Sequence, residues 1–274
     1  MRELISAVSK ELAADRVEAE LIVAALLGRP RFELYLMDKI SDGDRTYISS
    51  AVRQMKTGIP IEYLTRNVQF RDHTLSIFPG VFIPRLETEY LVELIQKTLR
   101  HAPARILEIG TGCGALSVAL AFLYPNSRIV ATDISEIAIQ NARQNLEDFG
   151  LASRVELVHC DLYDGITGVF DLIVCNPPYI PHARLGELPR SVRDFEPIQA
   201  LDGGEGGVYF IEKLMKGSNV HLSGDGVMAL EIDDEAVSLV ELILKNHGSC
   251  SFSFHRDLFD RSRYLFIGAE NEKS

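Results

Sequence analysis

From Arg105 onward the chain alternates short β-rich runs with helical stretches, and that alternation restricts the fold more than any other feature. The runs are Arg105–Ile109, Arg128–Thr132, Val155–Val158, Phe170–Cys175, Gly226–Glu231, Ser251–Phe254 and Tyr264–Ile267. Neighbouring parallel strands need a crossover of about a dozen residues or more, usually a helix, so the alternation implies a mostly parallel sheet covered by helices. Only residues 255–263 separate the last two runs, too few for a helical crossover, and the final strand is therefore expected to enter antiparallel. Ahead of this core, apolar residues recur at helical spacing in Leu4, Ile5, Val8, Leu12 and again in Val17, Leu21, Ile22, Ala25, Leu26. Gly28-Arg29-Pro30 and Ser41-Asp42-Gly43 punctuate the stretch from Arg2 to about Lys56. With Asp15 and Ser41 as helix starters, this predicts four or five short helices. Val68, Phe70, Leu75 and Ile77 alternate around Asp72-His73 as a hairpin does, with His73 read as a turn residue. A further helix is expected from about Glu89 to Leu99. The expected organisation is a helical N-terminal domain over 1–65, a linking β-hairpin over 66–85 and an α/β domain over 86–274.

Composition narrows the class. At 274 residues, with 46% hydrophobic and 24% charged residues, the chain can bury a full core and has no apolar run long enough to span a bilayer. The N-terminal stretch mixes charges among its apolar residues and lacks an export signal. The formal charge of −11 gives a repulsive average field for a bare phosphate backbone, so naked nucleic acid is a poor partner; a local basic patch, for example around Arg184, Arg190 and Arg193, is outweighed by the plainer reading of scattered solvated charges. Cys113, Cys160, Cys175 and Cys250 lie far apart with no metal-binding or redox spacing. They read as reduced thiols of a cytoplasmic protein, with no metal expected.

Ile106-Leu107-Glu108-Ile109 is a buried-strand run that delivers the chain into Gly110-Thr111-Gly112-Cys113-Gly114. Glycines at the carboxyl end of a first strand let the backbone turn tightly and approach a ligand closely. Asp133 follows at the end of the next strand, where a carboxylate accepts hydrogen bonds from ribose hydroxyls. Gly110 to Ala115 also satisfies the relaxed dinucleotide fingerprint, which keeps a nicotinamide enzyme as a rival. Glu108 favours a cationic ligand such as S-adenosylmethionine over an anionic pyrophosphate, although a satisfied strand-end carboxylate would look the same. Asp161-Leu162, after the third strand, stands where adenine would find a hydrogen bond and an apolar contact; an ordinary turn also fits.

Phe170–Cys175 reads as a fully buried strand ending in Asn176-Pro177-Pro178-Tyr179. Two prolines can neither donate to a ladder nor begin the next helix, so they hold a rigid exit at the edge where open α/β sheets bind ligands. An amide or exocyclic amine nitrogen has its lone pair delocalised and must be aimed at a methyl carbon. The Asn176 side-chain oxygen and the Pro177 carbonyl could accept its two N–H groups, and Tyr179 could stack on the flat acceptor. Taken alone, the tetrapeptide also fits a strand-ending turn.

Together these residues resemble the bacterial release-factor glutamine methyltransferases. The resemblance extends through Gly58-Ile59-Pro60-Ile61-Glu62-Tyr63-Leu64, Phe82-Ile83-Pro84-Arg85-Leu86-Glu87-Thr88-Glu89, Phe195-Glu196-Pro197 with Ala200-Leu201 and Gly203-Gly204, and Arg256-Asp257-Leu258 with Arg261. It implies a Rossmann-like class I methyltransferase sheet of seven strands, the last antiparallel. It also implies S-adenosylmethionine as cofactor and the N5 nitrogen of the glutamine in a release factor's Gly-Gly-Gln motif as acceptor. On that reading Glu108, Gly110, Thr111, Gly112, Cys113, Gly114, Asp133, Asp161, Leu162 and Asn176 bind the cofactor. Asn176, Pro177, Pro178 and Tyr179 hold the substrate amide, with Asn176, Pro177 and Tyr179 in the catalytic step, and the helical domain helps to grip the release factor. Leu86 stands where the family has proline, Cys113 where it has Ser or Thr, and Asp233 where glycine follows the isoleucine. A ribosomal-protein glutamine methyltransferase, an adenine-N6 nucleic-acid methyltransferase and a catalytically silent binding module are the alternatives.

Overall fold

The computed structural model describes residues 1–37, 39–248 and 251–268, so Cys250 lies outside the described residues. Two compact units emerge: Met1–Asn67 with Pro189–Phe195, and Val68–Leu188 with Glu196–Ser274. Among the described residues no helix is long and apolar enough to cross a membrane.

The first unit holds α1 (Arg2–Leu12), α2 (Arg16–Leu27), a 3-10 turn (Arg31–Tyr35), α3 (Asp42–Lys56) and α4 (Ile61–Thr65). Asp15 and Ser41 cap α2 and α3 by accepting the amides of Glu18 and Asp44 through their side chains, which satisfies backbone donors that a helix start leaves open. Leu4, Ile5 and Val8 pack with Ile22, Val23 and Leu26 and with Ile48 and Val52, the faces that the helical spacing marks as apolar. Buried Glu20 is the exception on α2. It receives the Tyr35 hydroxyl at 2.7 Å, Arg16 at 2.9 Å and Arg31 at 2.6 Å, which hold its carboxyl down at about 2.

The second unit begins with β1 (Asn67–Phe70, all but its first residue) and β2 (His73–Ser76), which pair as a two-stranded sheet. His73 is a strand residue and not a turn residue. Its ring stacks on Phe122 with centroids 4.6 Å apart and meets Phe149 edge-on, while Arg71, at φ 52°, takes the turn. Next comes α5 (Leu86–Thr98), starting three residues earlier than the sequence predicts because Glu87 and Glu89 suit a helix N-terminus. Leu86 occupies the first helical position, where proline is tolerated for want of a needed N–H, so the departure there keeps the helix.

The rest of the unit runs β3 (Arg105–Ile109), α6 (Ala115–Leu123), β4 (Arg128–Asp133), α7 (Glu136–Asp148), β5 (Val155–His159) and β6 (Phe170–Cys175). After α8 (Arg190–Arg193), which falls in the first unit, come α9 (Tyr209–His221), β7 (Leu222–Glu231), α10 (Val237–Asn246), β8 (Phe252–Arg256) and β9 (Ser262–Gly268). The seven-stranded sheet has the order β5-β4-β3-β6-β7-β9-β8. Strands β3 to β7 are parallel, and β9 lies antiparallel between β7 and β8, as the short 255–263 connection requires. Central β3 and β6 are buried on both faces, which explains their unbroken apolar sequence. Their carboxyl ends lie side by side, Ile109 opposite Cys175, and deliver the glycine loop and the Asn-Pro-Pro-Tyr segment to the same edge of the sheet.

Candidate active site

Beyond that edge lies a cavity of about 570 Å³, within the range of small-molecule sites. Glu108 lines it from β3, Gly110, Thr111, Gly112 and Cys113 from the loop that follows, Asp133 from the end of β4, Asp161 and Leu162 from just after β5, and Asn176, Pro177 and Pro178 from just after β6. Two residues singled out by sequence are not on its wall. Gly114 faces α7, where an added Cβ would come within 3.3 Å of the Ala142 backbone, and Tyr179 turns its hydroxyl to Glu231.

Gly110 and Gly112 adopt φ of 74° and 57°, and a Cβ built on either meets nothing within 4 Å. Their backbone is therefore open to whatever fills the cavity, and side chains would obstruct it. The loop is tied down from behind. The amides of Gly110 and Thr111 both donate to the Thr132 carbonyl at 2.8 Å, and the Gly112 amide donates to Asp133 Oδ2 at 2.8 Å. Asp133 Oδ1 accepts the Ser135 amide. The Cys113 thiol is pushed up to about 12 by burial, so it is an inert apolar contact. Its carbonyl accepts Asn145 Nδ2 at 2.8 Å, so the loop is anchored without a hydroxyl at position 113.

Glu108 is completely buried, and Thr111 and Ser117 both donate hydroxyls to its Oε2. Burial nevertheless pushes its carboxyl up to about 7 and also raises that of Asp133. Two desolvated carboxyls around one cavity are best stabilised by an arriving cation and hydroxyl donors, whereas a pyrophosphate would add like charge. The donor set thus fits a cationic nucleoside, for which Glu108 could face the cation, Asp133 the ribose hydroxyls, and Asp161 with Leu162 the base.

Across the cavity, Asn176 Nδ2 donates to Thr88 Oγ1 at 2.9 Å. The Thr88 hydroxyl donates to Glu231 Oε2 at 2.9 Å, and the Tyr179 hydroxyl to Glu231 Oε1 at 3.0 Å. Other sequence motifs act as scaffolding. Arg85 reaches Glu196 at 2.5 Å, and the other Glu196 oxygen accepts the Ile83 amide, which locks two distant motifs together. The Ile180 amide donates to the Leu201 carbonyl and the Gly203 amide to the Ile180 carbonyl, which bridges Ile180 to Asp202. Gly203 and Gly207 lie so close to Tyr179 that an added Cβ would stand 2.7 Å from its Cα and 2.2 Å from its carbonyl oxygen.

Sequence reasoning passed over Thr88 and Glu231 as individuals, and over Asn141 and Asn145 altogether. The latter two, buried at i and i+4 on α7, hold Ser76 and Phe78 beside the loop. Paired asparagines on the apolar face of a helix are the signal that could have found them. The suggested basic patch is no patch: Arg184 pairs with Asp233 and Glu235, and Arg190 and Arg193 both pair with Asp194.

The dinucleotide-binding order 3-2-1-4-5-6 is parallel throughout. Here the corresponding order runs on into an antiparallel strand inserted ahead of the last. The same fold occurs in the catalytic domain of hMettl16 in complex with MAT2A 3'UTR hairpin 6, at TM-score 0.59 and 14% identity, covering 85% of this chain and 84% of that one. Residues 75–188 match the methyltransferase small domain and residues 3–65 the PrmC N-terminal domain, so the chain is a methyltransferase of the class I fold. It is 34% identical to the release factor glutamine methyltransferase of Moorella thermoacetica, over 91% of each chain. To that of Rhodopirellula baltica it is also 34% identical, over 86% of this chain and 82% of that one. The chain belongs to the release factor glutamine methyltransferase family.

Proposed function

We propose that this chain transfers a methyl group from S-adenosylmethionine to the N5 side-chain nitrogen of the glutamine in the Gly-Gly-Gln motif of peptide-chain release factors. The observation that carries this reading is that Asn176, Pro177 and Pro178 share a cavity wall with the glycine loop and its two raised carboxyls. Bound S-adenosylmethionine supplies an electrophilic methyl group on a sulfonium. The residues supply placement. Gly110 and Gly112 admit the cofactor to the backbone, Thr111 and Cys113 shape the loop, Gly114 seats it on α7, and Glu108, Asp133, Asp161 and Leu162 receive the polar and flat parts. The Asn176 oxygen and the Pro177 carbonyl accept the two amide N–H groups, which aims the nitrogen and stabilises positive charge developing on it. Alignment of two bound reactants can remove roughly 7–11 kcal/mol of barrier, so a weak nucleophile reacts without a strong base at the transfer step. Tyr179 flanks this segment. Residues 86–274 then carry the chemistry, 66–85 the connection, and the helices of 1–65 part of the grip on the factor. The enzyme works in the cytoplasm, beside the translation machinery, with no need of direct nucleic-acid or membrane contact.

The test incubates the purified protein with isotopically labelled S-adenosylmethionine and a purified release factor, in parallel with a factor whose Gly-Gly-Gln glutamine is replaced. Label confined to that glutamine by peptide mass spectrometry is the expected result. Label absent from the factor while the cofactor binds would overturn the substrate assignment.

A further inference from the structure

Glu231 is the buried acid that the reaction so far leaves unused. It ends β7 outside the cavity wall, wholly buried, with each oxygen taken by a different hydroxyl, that of Thr88 from α5 and that of Tyr179 from the β6 exit. A threonine hydroxyl carries one proton. Thr88 gives it to Glu231, so toward Asn176 it can only accept, and Asn176 must offer Nδ2 to it. The other end of that amide, Oδ1, is then the end left for a ligand, and among the described residues no group donates to it. The charge on Glu231 therefore sets the direction of two hydrogen bonds and, through them, which way the Asn176 amide points.

We propose that ionised Glu231 is a positioning residue, which acts through Thr88 to hold the Asn176 oxygen toward the acceptor nitrogen and through the Tyr179 hydroxyl fixes the end of the same segment. This rests on the reading of Asn176 as the group that receives the substrate amide. A carboxylate is a costly residue to bury, and a hydroxyl or amide would fill the site more cheaply; what a carboxylate adds is the fixed direction, since it accepts and never donates. The groups facing it are Glu87 and Thr88 from α5, Tyr179, Cys175 from β6, and Arg263 and Tyr264 from β9. Arg263 favours the ionised form but also lies 3.3 Å from Asp257, and Glu87 opposes it; burial dominates and pushes the Glu231 carboxyl up to about 7. Once protonated, Glu231 can donate to Thr88. The Thr88 hydroxyl then turns its proton to Asn176, whose amide shows its NH2 to the substrate and repels the amide it should hold.

The experiment measures methyl transfer to a purified release factor at saturating S-adenosylmethionine between pH 6 and 8, for the wild type and the near-isosteric variants Thr88→Val, Thr88→Ser and Glu231→Gln. Saturation removes the titration of Glu108, which acts on cofactor binding. Thr88→Val is expected to lower kcat about tenfold to a hundredfold, the range for loss of a buried hydrogen bond, with cofactor affinity unchanged. Thr88→Ser, which keeps the hydroxyl, is expected to recover most of the rate, and Glu231→Gln to abolish the acid limb of the kcat profile. A wild-type acid limb that persists unchanged in Glu231→Gln overturns the proposal. So does a Thr88→Val enzyme within twofold of wild type, or a merely lowered thermal midpoint at unchanged kcat. A wild type that methylates no release factor sinks the functional reading instead.

Discussion

At the residue scale, the proposed meeting of Glu108 with the cofactor's cation can be tested through its own carboxyl. Without a cation nearby its carboxyl is pushed up to about 7 by burial, although the Ser117 and Thr111 hydroxyls pull the other way. A positive charge brought into the cavity favours the ionised form, so binding near neutral pH expels part of a proton. Calorimetric titration of S-adenosylmethionine in two buffers of different ionisation enthalpy is expected to give different apparent enthalpies, with the difference gone in Glu108→Gln. Equal enthalpies in the wild type would mean that Glu108 does not meet the cation. Asn176→Ala makes a complementary expectation, because on the proposed role it removes an acceptor that matters most as charge grows on the nitrogen. The loss should fall on kcat, by about a hundredfold to a thousandfold as for other charge-stabilising groups, with much less change in cofactor Kd. A loss confined to KM would put Asn176 in ground-state binding only.

Segment 201–207 is the element on which the Asn-Pro-Pro-Tyr exit rests, and its glycines are there for contact as much as for turning. Gly207 has φ 74°, and its missing Cβ would lie 2.2 Å from the Tyr179 carbonyl oxygen. Gly207→Ala is expected to cost about 1–3 kcal/mol in unfolding free energy and to lower methyl transfer, measured by denaturant titration and initial rates. Full activity and stability would show that the two segments slide apart freely. This dependence also explains what could and could not be read from sequence. The placement of Gly110 to Cys113, Asp133 and Asn176 to Pro178 around one cavity was legible because each sits at a strand end, where topology alone assigns it to one edge of the sheet, whereas nothing in the sequence shows Gly114 and Tyr179 turning away from it. The insertion of β9 followed in part from the short connection before it, which gives its direction but not its neighbours. Thr88 and Glu231 were not legible as a pair, since they stand 143 residues apart and meet only when α5 closes over β7. His73 opens β2 and does not make the turn, because alternation marks a hairpin without saying which residues turn; its ring stacks on Phe122 from the strand.

Over the whole molecule the buried acids pull stability in opposite directions with pH. In the first unit, Glu20 has its carboxyl held down at about 2, chiefly by the Tyr35 hydroxyl and then by Arg16 and Arg31. The unfolded chain returns it to its ordinary value of 4.5, so its contribution is complete above 4.5 and fades as pH falls toward 2. Glu108 and Glu231 in the second unit behave the other way, from the same ordinary 4.5 up to about 7. Below 4.5 they are protonated folded or unfolded and cost nothing. Between 4.5 and 7 the unfolded chain ionises while the buried groups do not, so stability declines as pH rises through that window and stays lower above it, by about 3 kcal/mol for each group at full effect. Asp133, also raised, adds in the same direction. The cofactor-free protein is therefore expected to resist urea best near pH 5, between the two trends, and to lose several kcal/mol by pH 8. Glu108→Gln and Glu231→Gln should each flatten the decline, and Glu20→Gln should weaken the protein at pH 5 and 8 alike. Saturating S-adenosylmethionine should move the optimum toward neutrality, because a cation beside Glu108 makes its ionised form the stable one. A urea midpoint that rises from pH 5 to 8 in the cofactor-free protein would mean that these carboxyls are ionised and well paired in the fold, and would remove the electrostatic reason for this cavity to prefer a cation.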